Sequence, residues 1–170
     1  MGGNAPICAN ALAAMGIPVS CVGAVGKGQA EPEFQSMSPL CNLWPVAMPG
    51  ECLALEFNDS KLFLADMSGP GELTWESLLQ LVGLEQLIEM VAGADLLGLF
   101  NWGELPNIQE IWEGFASDVL PRLDGKRRTA VFDLSDCSGR SAGAIRSAIE
   151  VLASFRKHMR VVLSANDNEV

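Results

Sequence analysis

Three short β-forming runs, residues 96–100, 129–132 and 160–163, are separated by two long amphipathic segments. This alternation constrains the fold more than any other feature of the chain. Strands joined through helices run parallel, and parallel sheets need helical cover. The helical segments carry their apolar residues at the required period. Ile108, Ile111, Trp112 and Phe115 mark one face of 106–119. Ile145, Ala148, Ile149, Leu152 and Phe155 mark one face of 141–158. The expected architecture is α/β, with a mostly parallel sheet covered on both faces.

The rest of the chain reads less regularly. Residues 6–15 form a helix with Pro6 in the first turn and Gly16 as its stop. Residues 19–25 form a strand, 31–37 a short helix, and 40–50 an irregular stretch broken by Pro45 and Pro49. Residues 52–65 form a hairpin around Asn58-Asp59-Ser60. This hairpin interrupts the alternation, so residues 40–67 are expected to be an accessory or lid segment. Residues 75–92 are helical behind an N-cap at Thr74, and Gly83 divides them.

With 170 residues, of which 49% are hydrophobic, the chain is long enough for one domain with a core. No apolar run approaches the ~20 residues of a membrane span. The N-terminus has no basic start and an interrupted apolar stretch, unlike a leader peptide. A cytoplasmic location with no membrane contact is the expectation. The net charge of −10 argues against nucleic acid. The charge is uneven. Residues 1–121 carry Lys27 and Lys61 against fifteen acids, a net of −13, whereas 122–170 carry a net of +3. Cys8, Cys21, Cys41, Cys52 and Cys137 show no C-x-x-C spacing, which reads as buried free thiols rather than a zinc or disulfide framework.

In open parallel sheets, ligands bind beyond the carboxyl ends of the strands. That selects the loops at 26–28, 101–104, 133–140 and 164–169. Gly2 and Gly3 precede a helix N-terminus, where bare backbone suits an oxygen-rich ligand. Asn166 and Glu169 flank a polar cluster after the last strand, an arrangement able to hold magnesium-bound water or to start an Asx turn. Trp102 lies in a strand-end loop beside Asn101 and Glu104 and is a candidate ligand contact. Gly23, Gly26 and Gly28 do not have dinucleotide spacing, and no P-loop is present. Gly139-Arg140-Ser141-Ala142-Gly143 matches G-x-S-x-G, the pattern of a serine hydrolase elbow. The loop before it is long for an elbow, and the sole histidine, His158, ends the helix that Ser141 begins. Ser141 reads better as a helix cap.

Taken in order, these segments resemble the ribokinase-like (PfkB-type) carbohydrate kinases. Gly2-Gly3 with Ala9, Leu12, Ala13 and Gly16 is similar to that family's diglycine stretch. Residues 19–26 resemble its next strand, and the hairpin resembles part of its lid. Residues 101–106 (NWGELP) are similar to the strand end where the family places a Glu, Phe132-Asp133 to its strand ending in Asp, and Asn166-x-x-Glu169 to its N-x-x-E motif. Two departures stand out. Ile7 lies where the family usually has Asn, and Gly26-Lys27-Gly28 lacks the acid of G-x-D.

The resemblance implies a three-layer α/β/α fold with a hairpin lid, incomplete at both ends, over one partial domain, 1–170. It implies ATP-dependent phosphoryl transfer to a sugar hydroxymethyl group. Gly2, Gly3, Asn4, Asn101 and Glu104 would contact the sugar. Asn166 and Glu169 would serve ATP, with Glu169 on magnesium through water. No segment matches the family's G-A-G-D, so the catalytic base is expected beyond Val170 and the isolated chain is expected to be inactive. A homodimer through the lid is implied. Two alternatives remain, a non-catalytic sugar-binding relic of a kinase and a Ser141 hydrolase.

Overall fold

The computed structural model describes residues 2–37, 39 and 41–165. Helix α1 spans Asn4–Ala14. It starts at Gly3, whose φ of 85° favours glycine. It ends in a Schellman pair, with the Ile17 amide donating to the Leu12 carbonyl at 3.1 Å and Gly16 to Ala13 at 2.9 Å. Strand β1 (Ser20–Gly23) follows and pairs in parallel with β2 (Asn42–Pro45).

The second strand corrects the expectation that 40–50 is irregular. Pro45 is tolerated because β2 is an edge strand, paired on one side only among the described residues. The next amide, Val46, donates to the Gly23 carbonyl at 3.0 Å. Between the two strands, Pro32–Met37 forms a short 3₁₀ helix.

The hairpin consists of β3 (Glu51–Glu56) and β4 (Lys61–Asp66). Every residue of both strands is exposed. Leu53 pairs with Leu64 and Leu55 with Leu62, so four leucines share one face.

Two helices come next, α2 (Trp75–Leu81) and α3 (Leu84–Gly93), separated at Gly83 as its φ of 89° requires. Thr74 and Ser77 form a reciprocal capping box at the start of α2. The last sheet is β5 (Leu96–Leu99), β6 (Arg128–Asp133) and β7 (Met159–Ser164), parallel, in the order β5-β6-β7. Helices α4 (Ile108–Gly114) and α5 (Ala142–Phe155) make the crossovers, and α4 runs on through a widened turn at Phe115–Val119.

Sequential strand order with right-handed crossovers places successive helices on the same side of the sheet. The main core accordingly lies on the Ala130 and Phe132 face of β6 and takes residues from α2, α3, α4 and α5. On the other face, Leu96 and Val162 remain exposed. Cover on both faces of this triple is therefore not seen among the described residues. Nor do the parallel strands form one hydrogen-bonded sheet, because β1-β2 and β5-β6-β7 are separate ladders. Val22, Ala24, Val46 and Ala47 nevertheless join the β1-β2 pair to the main core.

The core is threaded by aromatic contacts. Trp112 meets the edge of Phe132 at 4.9 Å, and Phe132 meets Phe155 at 5.0 Å, both nearly perpendicular. Ile149 is the one misplaced residue on α5. It is 42% exposed, because the buried stripe runs through Ala148, Leu152 and Phe155 and leaves Ile149 at its margin.

Of the five cysteines, Cys21, Cys41 and Cys137 are buried, Cys8 is half-buried and Cys52 is exposed, so the expectation of buried thiols holds for three. Burial pushes the Cys21 thiol up to about 12, and the nearby Cys41 and Cys8 add to that. Cys52 is exposed because it lies on the hairpin. No described helix is long and apolar enough to cross a membrane.

Candidate functional site

The carboxyl ends of β5 and β6 form one polar shelf, and the backbone stitches its two loops together. The Asn101 amide donates to the Asp133 carbonyl at 3.1 Å, and the Gly103 amide to the Leu134 carbonyl at 2.6 Å. Gly103 is required at this crossing, since a Cβ there would run into the Asp136 carbonyl oxygen. Asn101 and Ser135 both adopt positive φ, 65° and 59°, which is uncommon for non-glycine residues, although Asn takes it more readily than most.

The α1 N-terminus reaches this shelf from far away in sequence. The Asn4 Nδ2 donates to Asp133 Oδ2 at 2.8 Å and to Ser135 Oγ at 3.0 Å. Gly2 and Gly3 therefore sit with Asn4 at the end of β6. Beside them, the Asn101 Nδ2 donates to Glu104 Oε2 at 2.6 Å. Four of these side chains, Asn4, Asp133, Asn101 and Glu104, present amide and carboxylate groups. Carboxylates accept from hydroxyl donors, and amides both donate and accept, which suits a polyhydroxylated ligand.

The five residues that the resemblance marks for a sugar, Gly2, Gly3, Asn4, Asn101 and Glu104, thus fall in one region. Asn166 and Glu169 lie outside the described residues. Among the described residues, no group of three or more His, Cys, Asp or Glu is arranged to hold a metal. Trp102 is corrected from ligand contact to core, because it is 1% exposed and stacks on Trp112 at 6.4 Å. In the 26–28 loop, Lys27 pairs with Glu72 at 2.8 Å.

Asp133, Ser135 and Arg140 join this region from outside the residues that the sequence marks for a ligand. For Asp133 the signal was present, an acid closing a strand of the parallel sheet. For Ser135 and Arg140 the backbone conformation and the carbonyls they meet were not readable in one dimension.

Ser141 is the N-cap of α5, its hydroxyl accepting from the Ala144 amide at 3.2 Å. His158 lies beyond the far end of that helix, whose 14 residues rise about 1.5 Å each. The two side chains are far out of hydrogen-bond reach. Ser141→Ala is expected to cost about 1 kcal/mol of stability, as for other lost caps. Urea unfolding checks the cost, and an unchanged esterase blank checks that no hydrolase is lost.

The structure defines an α/β chain with oxygen-rich loops at the carboxyl ends of its parallel strands, the edge where such folds bind ligands. The sequence model of the prokaryotic ketohexokinase family matches residues 1–170. The chain belongs to that family. It is 31% identical over 168 residues to a ketohexokinase of Haloferax volcanii, covering 99% of this chain and 44% of the relative. The chain thus spans less than half of that relative's length. No solved structure matches it.

Proposed function

We propose that this chain supplies the acceptor side of a sugar kinase that phosphorylates a ketohexose at the expense of ATP. One observation carries the reading. Asn4, next to the diglycine turn, is hydrogen-bonded to Asp133 and Ser135, beside the Asn101–Glu104 pair. Residues distant in sequence thereby converge on a shelf with the chemistry of sugar hydroxyls. Asn4 and Asn101 would donate to and accept from those hydroxyls, and Asp133 and Glu104 would accept from them. In the kinase reaction an acceptor hydroxyl attacks the γ-phosphate and gives up its proton to a base. ATP and its magnesium belong to the proposal by family, through Asn166 and Glu169. The three-layer arrangement is likewise part of the proposal and would cover the Leu96 and Val162 face.

Calorimetry of the purified chain with D-fructose and with an aldohexose, each with and without MgATP, tests the reading. Saturable binding of the ketohexose is expected, weakened at least about tenfold by Asp133→Asn, which removes the carboxylate that accepts from Asn4 and would accept from a sugar hydroxyl. No phosphorylation by these 170 residues is expected, since none matches G-A-G-D. Absence of saturable binding to any sugar refutes the proposal. Binding without turnover in a chain extended to the relative's length favours the non-catalytic relic.

Self-association through the hairpin is the second element of the proposal. A two-stranded hairpin with both faces in water is marginal alone, and its leucine face is self-complementary. Sedimentation of the parent chain should show a dimer, and Leu53→Asp with Leu64→Asp should show a monomer of unchanged helix content. A monomeric parent at high micromolar concentration sinks the idea.

A further inference from the structure

The Gly139–Gly143 run holds more than the Ser141 cap. Arg140 Nε donates to the Gly103 carbonyl at 3.1 Å. Its Nη2 donates to the Trp102 carbonyl at 2.8 Å and to the Leu105 carbonyl at 2.7 Å. The guanidinium carbon lies 4.9 Å from the centroid of the Trp102 ring. One half-buried cation thus gathers three carbonyls from the 101–105 loop and stacks on the ring that anchors this loop in the core.

The arrangement matters because of what the same loop presents outward. With the carbonyls of residues 102, 103 and 105 turned to Arg140, Glu104 is left exposed and bonded to Asn101. Asn101 holds its positive φ with its amide on Asp133. The guanidinium commits Nε and Nη2 to backbone carbonyls of this one loop, so its contacts are those of a loop clamp.

We propose that Arg140 is a positioning residue, a latch that holds the β5 loop so that Asn101 and Glu104 stand beside Asp133 in a preformed ketohexose cleft. This rests on the sugar-kinase reading for its purpose, but not for its geometry. Lysine is a poor substitute. Its single ammonium lacks the planar fork that reaches three carbonyls and the flat face that stacks on Trp102.

Two readouts test the latch. The first needs no sugar. Amide hydrogen exchange at residues 101–105 should accelerate at least about tenfold in Arg140→Ala, with Arg140→Lys between. The β6 amides of residues 130–132 should remain as protected as in the parent. The second readout is D-fructose affinity. Arg140→Ala should weaken it about tenfold, or 1.4 kcal/mol, with partial recovery in Arg140→Lys. In an Asn101→Ala/Glu104→Ala background the same change should weaken it less than about twofold, because the groups being positioned are gone.

Equal losses in both backgrounds would mean a merely structural residue and overturn the proposal. Unchanged exchange in the 101–105 loop overturns it as well. If the parent chain binds no sugar, the kinase reading fails, and exchange alone decides the latch: faster supports it, unchanged refutes it. Should Arg140→Ala not fold, Arg140→Lys carries both readouts.

Discussion

Phe132→Ala is expected to lower the free energy of unfolding by about 3–5 kcal/mol, the range for deleting a buried aromatic side chain. Phe132 is 0% exposed and stands near the carboxyl end of the central strand β6. Its ring takes the edge contacts of Trp112 at 4.9 Å and of Phe155 at 5.0 Å, so the loss falls on α4 and α5 together. Neighbours packed this closely relax only partly, and a cavity remains. Urea unfolding monitored by circular dichroism should show a large drop in midpoint at constant slope. The effect should extend to function, because Asp133 is the next residue and loses its anchor. A loss below about 1 kcal/mol would mean that the aromatic contacts do not carry the core.

Gly103→Ala should disturb the site more selectively. The added Cβ meets backbone, the Asp136 carbonyl oxygen and the Leu134 carbonyl, not the yielding end of a side chain. The 101–105 loop must therefore move off the 133–137 loop, at an overpacking cost of about 1–3 kcal/mol. The movement breaks the Gly103 amide bond to Leu134 and separates Asn101 and Glu104 from Asp133. The proposed ketohexose affinity is expected to fall at least about tenfold, measured by calorimetry beside the unfolding curve. Gly125→Ala is the matching control, since a Cβ there meets nothing within 4 Å. Equal affinity in the two variants would show that the crossing of the loops does not set the site.

How far the chain could be read in advance depended on the range of the interactions concerned. The strands β5, β6 and β7, the helices α4 and α5, the break at Gly83 and the Thr74 cap were all legible in the residues. Each rests on a period or a cap, that is, on neighbours a few positions apart. The diglycine turn, Asn4, Asn101 and Glu104 were legible as strand-end or helix-start chemistry, and they fall in one region.

Long-range pairing was not legible. Strand β2 hid among prolines because its partner, β1, lies some twenty residues away and supplies the register. Trp102 sat in a polar loop and still became core, because Trp112 arrives from the next helix to stack on it. Ile149 fits the period of α5 and stays exposed, because the sheet is a three-stranded surface of finite width. The site shows the same division. Local order placed an acid at the end of β6 and a serine at the start of α5. The bonds from Asn4 to Asp133 and from Arg140 to three carbonyls join segments brought together by packing. Periodicity and capping are properties of short stretches of chain and can be read from it. Which distant groups face one another is set by how layers pack, and that information is spread over the whole fold.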